Sequence, residues 1–293
     1  MLIWWKNSNI SYPNRISLEG ILRLGRSEQA AERVLDELNI VDPKDLRLLE
    51  EIAYERGALV REKFIEGAEA RITIVGSRGI ITLSPEISNH RRRFSIAHEL
   101  GHLEMHSNVS SQSLCTKSDM DDWGTEQVNS NREQEANAFA AALLLPRRFF
   151  GPLCNHTDPS LKFVQALSLR FDTSLTATAL RYTQFCDEAI AVVFSQNGSV
   201  KWFRRSKEFE ELGAFIQVRS RLDPDSVAYL VYRGGVTIER KRIDVTAWLA
   251  PGNYRENAKI VEQSWSMSAY NAVLTLLWIE DDISDDNYFW SIK

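Results

Sequence analysis

Cysteine is scarce in this sequence, and no two cysteines have the spacing of a pair. The chain contains three, at Cys115, Cys154 and Cys186. An odd number of scattered cysteines argues against a disulfide framework and is typical of a reducing compartment. We therefore expect a cytoplasmic protein whose thiols are structural or incidental.

Long apolar runs are also missing. The longest, around residues 138–145 and 270–279, are much shorter than the roughly 20 residues that cross a bilayer. The N-terminal segment MLIWWKNSNI has neither the basic region nor the small-residue cleavage site of a secretory signal. We therefore expect no membrane span, and we interpret this segment as part of the mature protein.

The chain has no excess of positive charge. It contains 35 basic and 40 acidic residues, for a net charge of −5. This balance excludes a global attraction to nucleic acid or to an anionic membrane, so any DNA contact would have to be local. The length of 293 residues and the hydrophobic content of 44% indicate a globular protein that is larger than one average domain.

The first part of the chain, residues 1–154, has mostly helical patterns. Apolar residues at three- and four-residue steps predict helices at residues 17–38 with a break near Gly25, after Asp42-Pro43, at 91–105 and at 132–145. Two β-rich stretches, residues 71–75 and 80–84, flank a glycine-containing turn and predict a hairpin. The polar segment 107–129 is predicted to be a long loop.

The second part of the chain changes from helical to β patterns. Residues 155–188 predict a helix-turn-helix-like segment with helices at 160–171 and 175–185. Residues 189–293 predict an α+β domain of sensor type, with a GAF-like fold as one option and strands near 189–194, 200–203, 227–232 and 236–243. The predicted fold class is α+β, with three successive parts: a mostly helical domain that includes a small sheet, the helical segment and the C-terminal domain.

One predicted helix contains a short zinc-peptidase motif, His98-Glu99-Leu100-Gly101-His102. Residues four apart lie on one helix face, so His98 and His102 can bind one ion through their imidazole nitrogens. Glu99 lies one step around the helix, where it can act as general base for the attacking water. Gly101 costs a helix about 1 kcal/mol relative to alanine, and we expect it to leave open space beside the two histidines.

A catalytic zinc usually has three protein ligands, so a third must lie elsewhere. The metzincin pattern would place the third ligand, a histidine, six residues after His102. Position 108 is Asn108, so this pattern is absent. The next helix offers Glu133 and Glu135. Glu133 is favoured because it pairs at i, i+4 with Asn137, which could hydrogen-bond behind a ligand histidine. Glu135 is the alternative, and Ser130 with Glu133 also fits a capping box.

Three other features have ordinary interpretations. His106 lies one turn beyond His102 and could reach the metal, but a histidine at a helix end more often contacts the terminal carbonyls. The basic run of residues 90–93 is typical of a solvated surface. The helix-turn-helix-like segment has few positive charges, which favours packing over DNA binding.

The two motif segments resemble the ImmA/IrrE-type metallopeptidases. The likeness lies in Arg92-Arg-Phe-Ser-Ile-Ala-His98-Glu-Leu-Gly-His102 and in Glu133-Gln-Glu-Ala-Asn137-Ala-Phe-Ala-Ala-Ala-Leu-Leu-Leu-Pro146, and it covers about residues 30–150. The resemblance implies that residues 1–154 form a zincin-like metallopeptidase domain with a gluzincin-like fold, in which His98, His102 and Glu133 hold Zn²⁺ and Glu99 is the base. It also implies a specific protein substrate, a helix-turn-helix transcriptional repressor.

The expected function is therefore that of a zinc endopeptidase that cuts a repressor in a stress or mobile-element response. Mn²⁺ is a second possible metal, because similar nitrogen and oxygen ligands accept it. The alternative is a non-catalytic DNA-binding or ligand-sensing regulator with a structural metal site. Glu99 favours the enzyme, since a structural zinc needs no base beside its ligands.

Overall fold

The computed structural model describes residues 25–106, 112–115, 131–234, 238–251 and 258–280, with the backbone alone at 112–115 and 238–239. The described residues form two compact units, and the boundary between them in the sequence lies between Leu153 and Cys154. Both contain helices and a sheet, so the predicted α+β class is confirmed. Across the described ranges, every helix is too short or too polar to span a bilayer.

The helices of the first unit follow the predicted pattern. They are α1 (Arg26–Glu37), α2 (Leu49–Glu55), α3 (Asn89–His106), α4 (Asn131–Leu144) and the short α5 (Arg147–Phe150). Asp42 caps the predicted segment, since its Oδ1 accepts from the backbone N–H of Lys44 at 2.8 Å. The capped element is a 3₁₀ turn, Pro43–Arg47, which comes before α2.

The sheet of the first unit contains the predicted hairpin and two further strands. Its strands are β1 (Ala58–Glu62), β2 (Ala70–Val75), β3 (Arg78–Leu83) and β4 (Gln112–Cys115), in the order β1-β3-β2-β4. The neighbouring pairs are antiparallel except β1 with β3. Strand β4 lies inside the segment predicted to be a loop, which corrects that prediction. The sequence of β4 is mostly polar and does not alternate between apolar and polar residues. It forms a strand because β2 supplies the backbone hydrogen-bonding partner.

Helix α3 is the central element of the first unit. All of its residues from Arg93 to Leu103 are buried, so this part of the helix has no solvent-facing side. Its neighbours include α2, α4 and strands β2 and β3. The polar groups of the histidine motif are therefore held inside the core, where a buried polar group needs a partner.

The basic run at the start of α3 connects that helix to its neighbours. Arg91, Arg92 and Arg93 make ion pairs and hydrogen bonds with Glu69, with Glu50 and Glu62, and with the carbonyls of Leu46 and Arg47. The expectation of a merely solvated surface was therefore wrong. The partners lie between 22 and 47 positions earlier in the chain, so the run itself does not reveal them.

The second unit combines a helix pair with a five-stranded antiparallel sheet. The helices are α6 (Leu161–Phe171), α7 (Leu175–Tyr182), α8 (Lys207–Glu211) and α9 (Val227–Tyr232). The strands are β5 (Ala189–Gln196), β6 (Ser199–Arg205), β7 (Ile238–Asp244), β8 (Lys259–Met267) and β9 (Ala272–Ile279), in the order β6-β5-β9-β8-β7. An apolar core of buried strand residues packs against α8 and α9.

Helix α9 replaces a predicted strand. Its sequence, Val-Ala-Tyr-Leu-Val-Tyr, favours β structure, but Ser226 accepts a hydrogen bond from the N–H of Tyr229 at 3.1 Å and caps a helix. The buried carboxylate of Glu262 accepts from the N–H groups of Val227 and Ala228 at 2.9 and 2.7 Å. A carboxylate at a helix N-terminus stabilises the helix, and Glu262 is too distant in sequence to be anticipated.

The helix-turn-helix-like pair, α6 and α7, is present as predicted. Ser160 and Ser174 cap the two helices through their side-chain oxygens, and Asp172 takes the left-handed conformation between them. In α7, Arg181 is buried and lies over the ring of Phe185, 4.7 Å from its centroid. This cation is therefore held inside the fold and is not displayed on a surface that could meet DNA phosphates.

Candidate metal centre

Three side chains converge where α3 meets α4. The Nε2 atoms of His98 and His102 lie 3.1 Å apart. Glu133 places Oε2 at 3.1 Å from Nε2 of His98 and Oε1 at 3.4 Å from Nε2 of His102. Within the described ranges, these are the histidine, cysteine and acidic side chains grouped closely enough to share one metal ion.

The spacing of these atoms suits a single zinc ion. Tetrahedral zinc with ligand bonds of about 2.0–2.1 Å keeps its ligand atoms roughly 3.3–3.4 Å apart. The separations of 3.1 to 3.4 Å in this cluster are close to that value. Two imidazole nitrogens and a carboxylate oxygen are also the donor types that catalytic zinc sites use. The residues present therefore fit a zinc ion.

The hydrogen bond behind His98 determines which of its nitrogens can bind a metal. Nδ1 of His98 lies 2.9 Å from Oδ1 of Asn137. An amide oxygen accepts, so Nδ1 carries the proton and Nε2 presents its lone pair to the cluster. The predicted contact of Asn137 behind a histidine is thereby confirmed.

Glu133 supplies the negative charge of the cluster. Partial burial alone would raise the pKa of the Glu133 carboxyl group, but the adjacent imidazoles of His102 and His98 outweigh that effect, and the pKa is lowered. Glu133 is therefore ionised at neutral pH. The competing cap interpretation depends on Ser130, which lies outside the described residues.

Glu135, the alternative third ligand, contacts a different histidine. Its Oε2 lies 2.8 Å from Nε2 of His106, and Nδ1 of His106 lies 3.2 Å from Nδ1 of His102. Burial lowers the pKa of His106 although Glu135 opposes the shift, which favours a neutral ring that can donate and accept. His106 thus contacts side chains, and the expected helix-end role is corrected. The signal in the sequence was the four-residue step from His102.

Glu99 lies on α3 beside the two histidines. The side chain is fully buried, and it does not belong to the three-residue cluster. Its place one residue after His98 turns it away from the ligand face of the helix. A carboxylate in this position is suited to proton transfer beside a metal, not to ligation.

Gly101 determines how closely the two helices approach. A Cβ atom built on Gly101 would lie 3.0 Å from Cδ1 of Phe139 and 3.2 Å from Cα of Ala136. The expectation of open space beside the histidines was therefore wrong, because α4 fills that space. Without a side chain at residue 101, the helices pack closely enough for Glu133 to reach both imidazoles.

Part of the chain is similar to a known protein family. Residues 55–183 match the family model of the IrrE N-terminal-like domain, Peptidase_M78, and this range includes α3, α4 and the helix pair. No curated protein matches the sequence.

A solved structure described as a Mycobacterium tuberculosis transcriptional regulator is similar, with a TM-score of 0.55 and 16% sequence identity. The similarity covers 89% of this chain and 78% of that chain. At this identity, the similarity concerns the fold.

Proposed function

Since residues 55–183 match the family model of the IrrE N-terminal-like domain, Peptidase_M78, we propose that the chain is a zinc-dependent endopeptidase. His98, His102 and Glu133 would hold the metal, and Glu99 would be the general base. The observation that carries the proposal is the convergence of two imidazole nitrogens and one carboxylate within 3.4 Å of one another. Two imidazoles and a carboxylate this close together are the donor set that catalytic zinc sites use, which supports the proposal.

Each residue of the chain has a separate task in the proposed reaction. Zinc, when bound, polarises the scissile carbonyl and makes water more acidic; manganese could supply the same chemistry. Glu99 removes a proton from the attacking water, whose oxygen bonds to the carbonyl carbon. As the C–N bond breaks, Glu99 returns that proton to the leaving amine. Asn137 orients the ring of His98 through Nδ1.

The proposed substrate is a specific protein, a DNA-binding helix-turn-helix repressor, whose cleavage in the cytoplasm would relieve repression in a stress or mobile-element response. The family resemblance supports this choice. A structural neighbour described as a transcriptional regulator is compatible with it. Direct DNA binding by this chain has less support, since Arg181 of the helix pair is buried.

Replacement of Glu99 by glutamine tests the enzymatic function. Glu99→Gln keeps the size of the side chain but cannot accept the proton, so zinc binding should persist while cleavage is lost. Cells expressing the wild type and the variant are compared by mass spectrometry of protein N-termini. The wild type should produce a new N-terminus within a DNA-binding protein. Glu51→Gln, at an exposed carboxylate of the same unit, should cleave like the wild type.

Two outcomes would contradict this function. New N-termini that persist in Glu99→Gln would remove Glu99 from the mechanism. If zinc-loaded wild type yields no new N-terminus that depends on Glu99, the chain is better described as a non-catalytic regulator with a structural metal site.

A further inference from the structure

The end of α3 carries a third imidazole that the proposed reaction does not use. His106 follows His102 by one helical turn, and both side chains are almost completely buried. The Nδ1 atoms of the two rings lie 3.2 Å apart. On its far side, His106 places Nε2 at 2.8 Å from Oε2 of Glu135, which belongs to α4. The three side chains form a continuous line from Glu135 to the ligand cluster.

The ring nitrogens that carry protons can be assigned by starting from Glu135, at the outer end of this line of side chains. A carboxylate accepts and does not donate, so Nε2 of His106 must carry the proton that faces Glu135. A neutral imidazole has one N–H, which leaves Nδ1 of His106 as an acceptor. The proton between the two rings must then belong to Nδ1 of His102. As a result, Nε2 of His102 has its lone pair, and that atom is one of the three in the cluster.

We propose that Glu135 and His106 are positioning residues, which keep the proton of His102 on Nδ1 so that Nε2 stays available to the metal. This inference rests on the proposed function because it takes His102 as a ligand. It deepens that function by giving both ligand histidines a fixed tautomer. Asn137 acts on His98 directly, and Glu135 acts on His102 through His106.

Glu135 is itself held from a third helix. The hydroxyl of Ser27 in α1 donates to the backbone carbonyl of Glu135 at 2.9 Å. Nη1 of Arg26, also in α1, lies 3.4 Å from Oε1 of Glu135, and Arg26 is largely exposed. The carboxylate oxygen that faces His106 is Oε2, so Arg26 contacts the other oxygen.

The first test compares zinc dissociation constants. Glu135→Ala should weaken zinc binding about 10- to 100-fold, the usual effect of losing an outer partner of a ligand histidine. Glu135→Gln retains an acceptor oxygen for Nε2 of His106 and should recover most of the affinity. Gln134→Ala, at an exposed position of the same helix, is the control and should bind zinc like the wild type. If Glu135→Ala lowers the melting temperature but leaves zinc affinity unchanged, the line is a packing contact and the proposal is overturned.

The second test needs no substitution. Nitrogen-15 NMR spectra of the imidazoles distinguish protonated from unprotonated ring nitrogens, and the chain has five histidines to assign. In mildly alkaline solution, where free imidazole is neutral, His106 should carry its proton on Nε2 in both metal-free and zinc-loaded protein. A proton on Nδ1 of His106 would overturn the proposal even if every variant failed to fold.

The outcomes also separate this inference from the proposed function. If Glu135→Ala loses zinc affinity but the zinc-loaded wild type cleaves no protein, the positioning role stands and the peptidase does not. If the wild type cleaves and Glu135→Ala binds zinc equally well, the peptidase stands and the positioning role does not.

Discussion

At the scale of single residues, His98 and His102 differ in the group that accepts a hydrogen bond from Nδ1–H. For His98 the acceptor is one amide oxygen, Oδ1 of Asn137 at 2.9 Å. Asn137→Ala removes it, so the proton of His98 is no longer confined to Nδ1. We expect the zinc dissociation constant to rise about 10- to 100-fold, measured by competition with a chelating dye.

The control for that experiment is Gln134→Ala, on an exposed position of the same helix. It should bind zinc like the wild type, because it changes helix α4 without touching either histidine. Equal affinities for Asn137→Ala and Gln134→Ala would show that Asn137 does not orient His98.

The spacing of residues predicted part of this site and not the rest. His98, Glu99 and His102 follow from the helical period, and the predicted pairing of Glu133 with Asn137 rests on the same period in α4. The contact of Glu135 with His106 joins residues 29 positions apart, in different helices. It depends on the angle and depth at which α4 crosses α3. Those quantities are set by packing, which a periodicity does not specify.

At the scale of helices, Gly101 is the position on which the crossing of α3 and α4 depends. In Gly101→Ala the new methyl group would meet Phe139 and the backbone of Ala136 at 3.0–3.2 Å. The strain should exceed the gain in helix propensity and lower the free energy of unfolding by about 1–2 kcal/mol. Zinc affinity should fall as well, since Glu133 moves away with α4. Urea denaturation and zinc titration measure the two effects.

Gly25→Ala is the matched control, because a Cβ atom at Gly25 meets nothing within 4 Å and its φ of −63° suits alanine. It should change stability only slightly and zinc affinity not at all. A Gly101→Ala protein that binds zinc as tightly as Gly25→Ala would contradict the role given to the helix contact.

In the second unit, the carboxylate of Glu262 accepts hydrogen bonds from the N–H groups of the first two residues of α9. Burial raises the pKa of this carboxyl group, while donors on Trp248, Val227, Ala228 and Ser264 oppose the shift. Glu262→Gln places an amide NH₂ against some of these donors and leaves a backbone N–H without an acceptor. The free energy of unfolding should fall by about 1–3 kcal/mol. Chemical denaturation, followed by tryptophan fluorescence, measures the loss.

Glu211→Gln changes an exposed carboxylate of α8 and should stay within about 0.5 kcal/mol of the wild type. If Glu262→Gln is no less stable than this control, the buried carboxylate does not hold α9.

The same contact explains which elements the sequence could predict. Helices α3 and α4, and the hairpin of β2 and β3, have strong local patterns and were predicted within a few residues. Strand β4 and helix α9 depend on partners elsewhere in the chain, β2 and Glu262. Local propensity is a weak guide where a distant partner supplies the hydrogen bonds.

At the scale of the whole molecule, the two compact units should respond differently to zinc. We propose domains at residues 1–154, 155–188 and 189–293, and all three ligands lie in the first. At about 100 times its dissociation constant, zinc should add about 2.7 kcal/mol to the stability of the unit that binds it. Hydrogen exchange, followed by mass spectrometry, should therefore slow in α3 and α4 and stay unchanged in β5, β8 and β9.

Glu133→Ala is the control and should show no effect of zinc on exchange. If exchange slowed equally in the sheet of the second unit, zinc would stabilise the whole chain. The effect of the metal would then not be confined to the first unit.

The most direct measurement is anomalous diffraction at the zinc absorption edge, from crystals of zinc-loaded protein. The structure predicts a single peak about 2.0–2.2 Å from Nε2 of His98, Nε2 of His102 and a carboxylate oxygen of Glu133. A map without a peak among these atoms, or with a peak bound by other residues, would contradict the metal centre and the peptidase that depends on it.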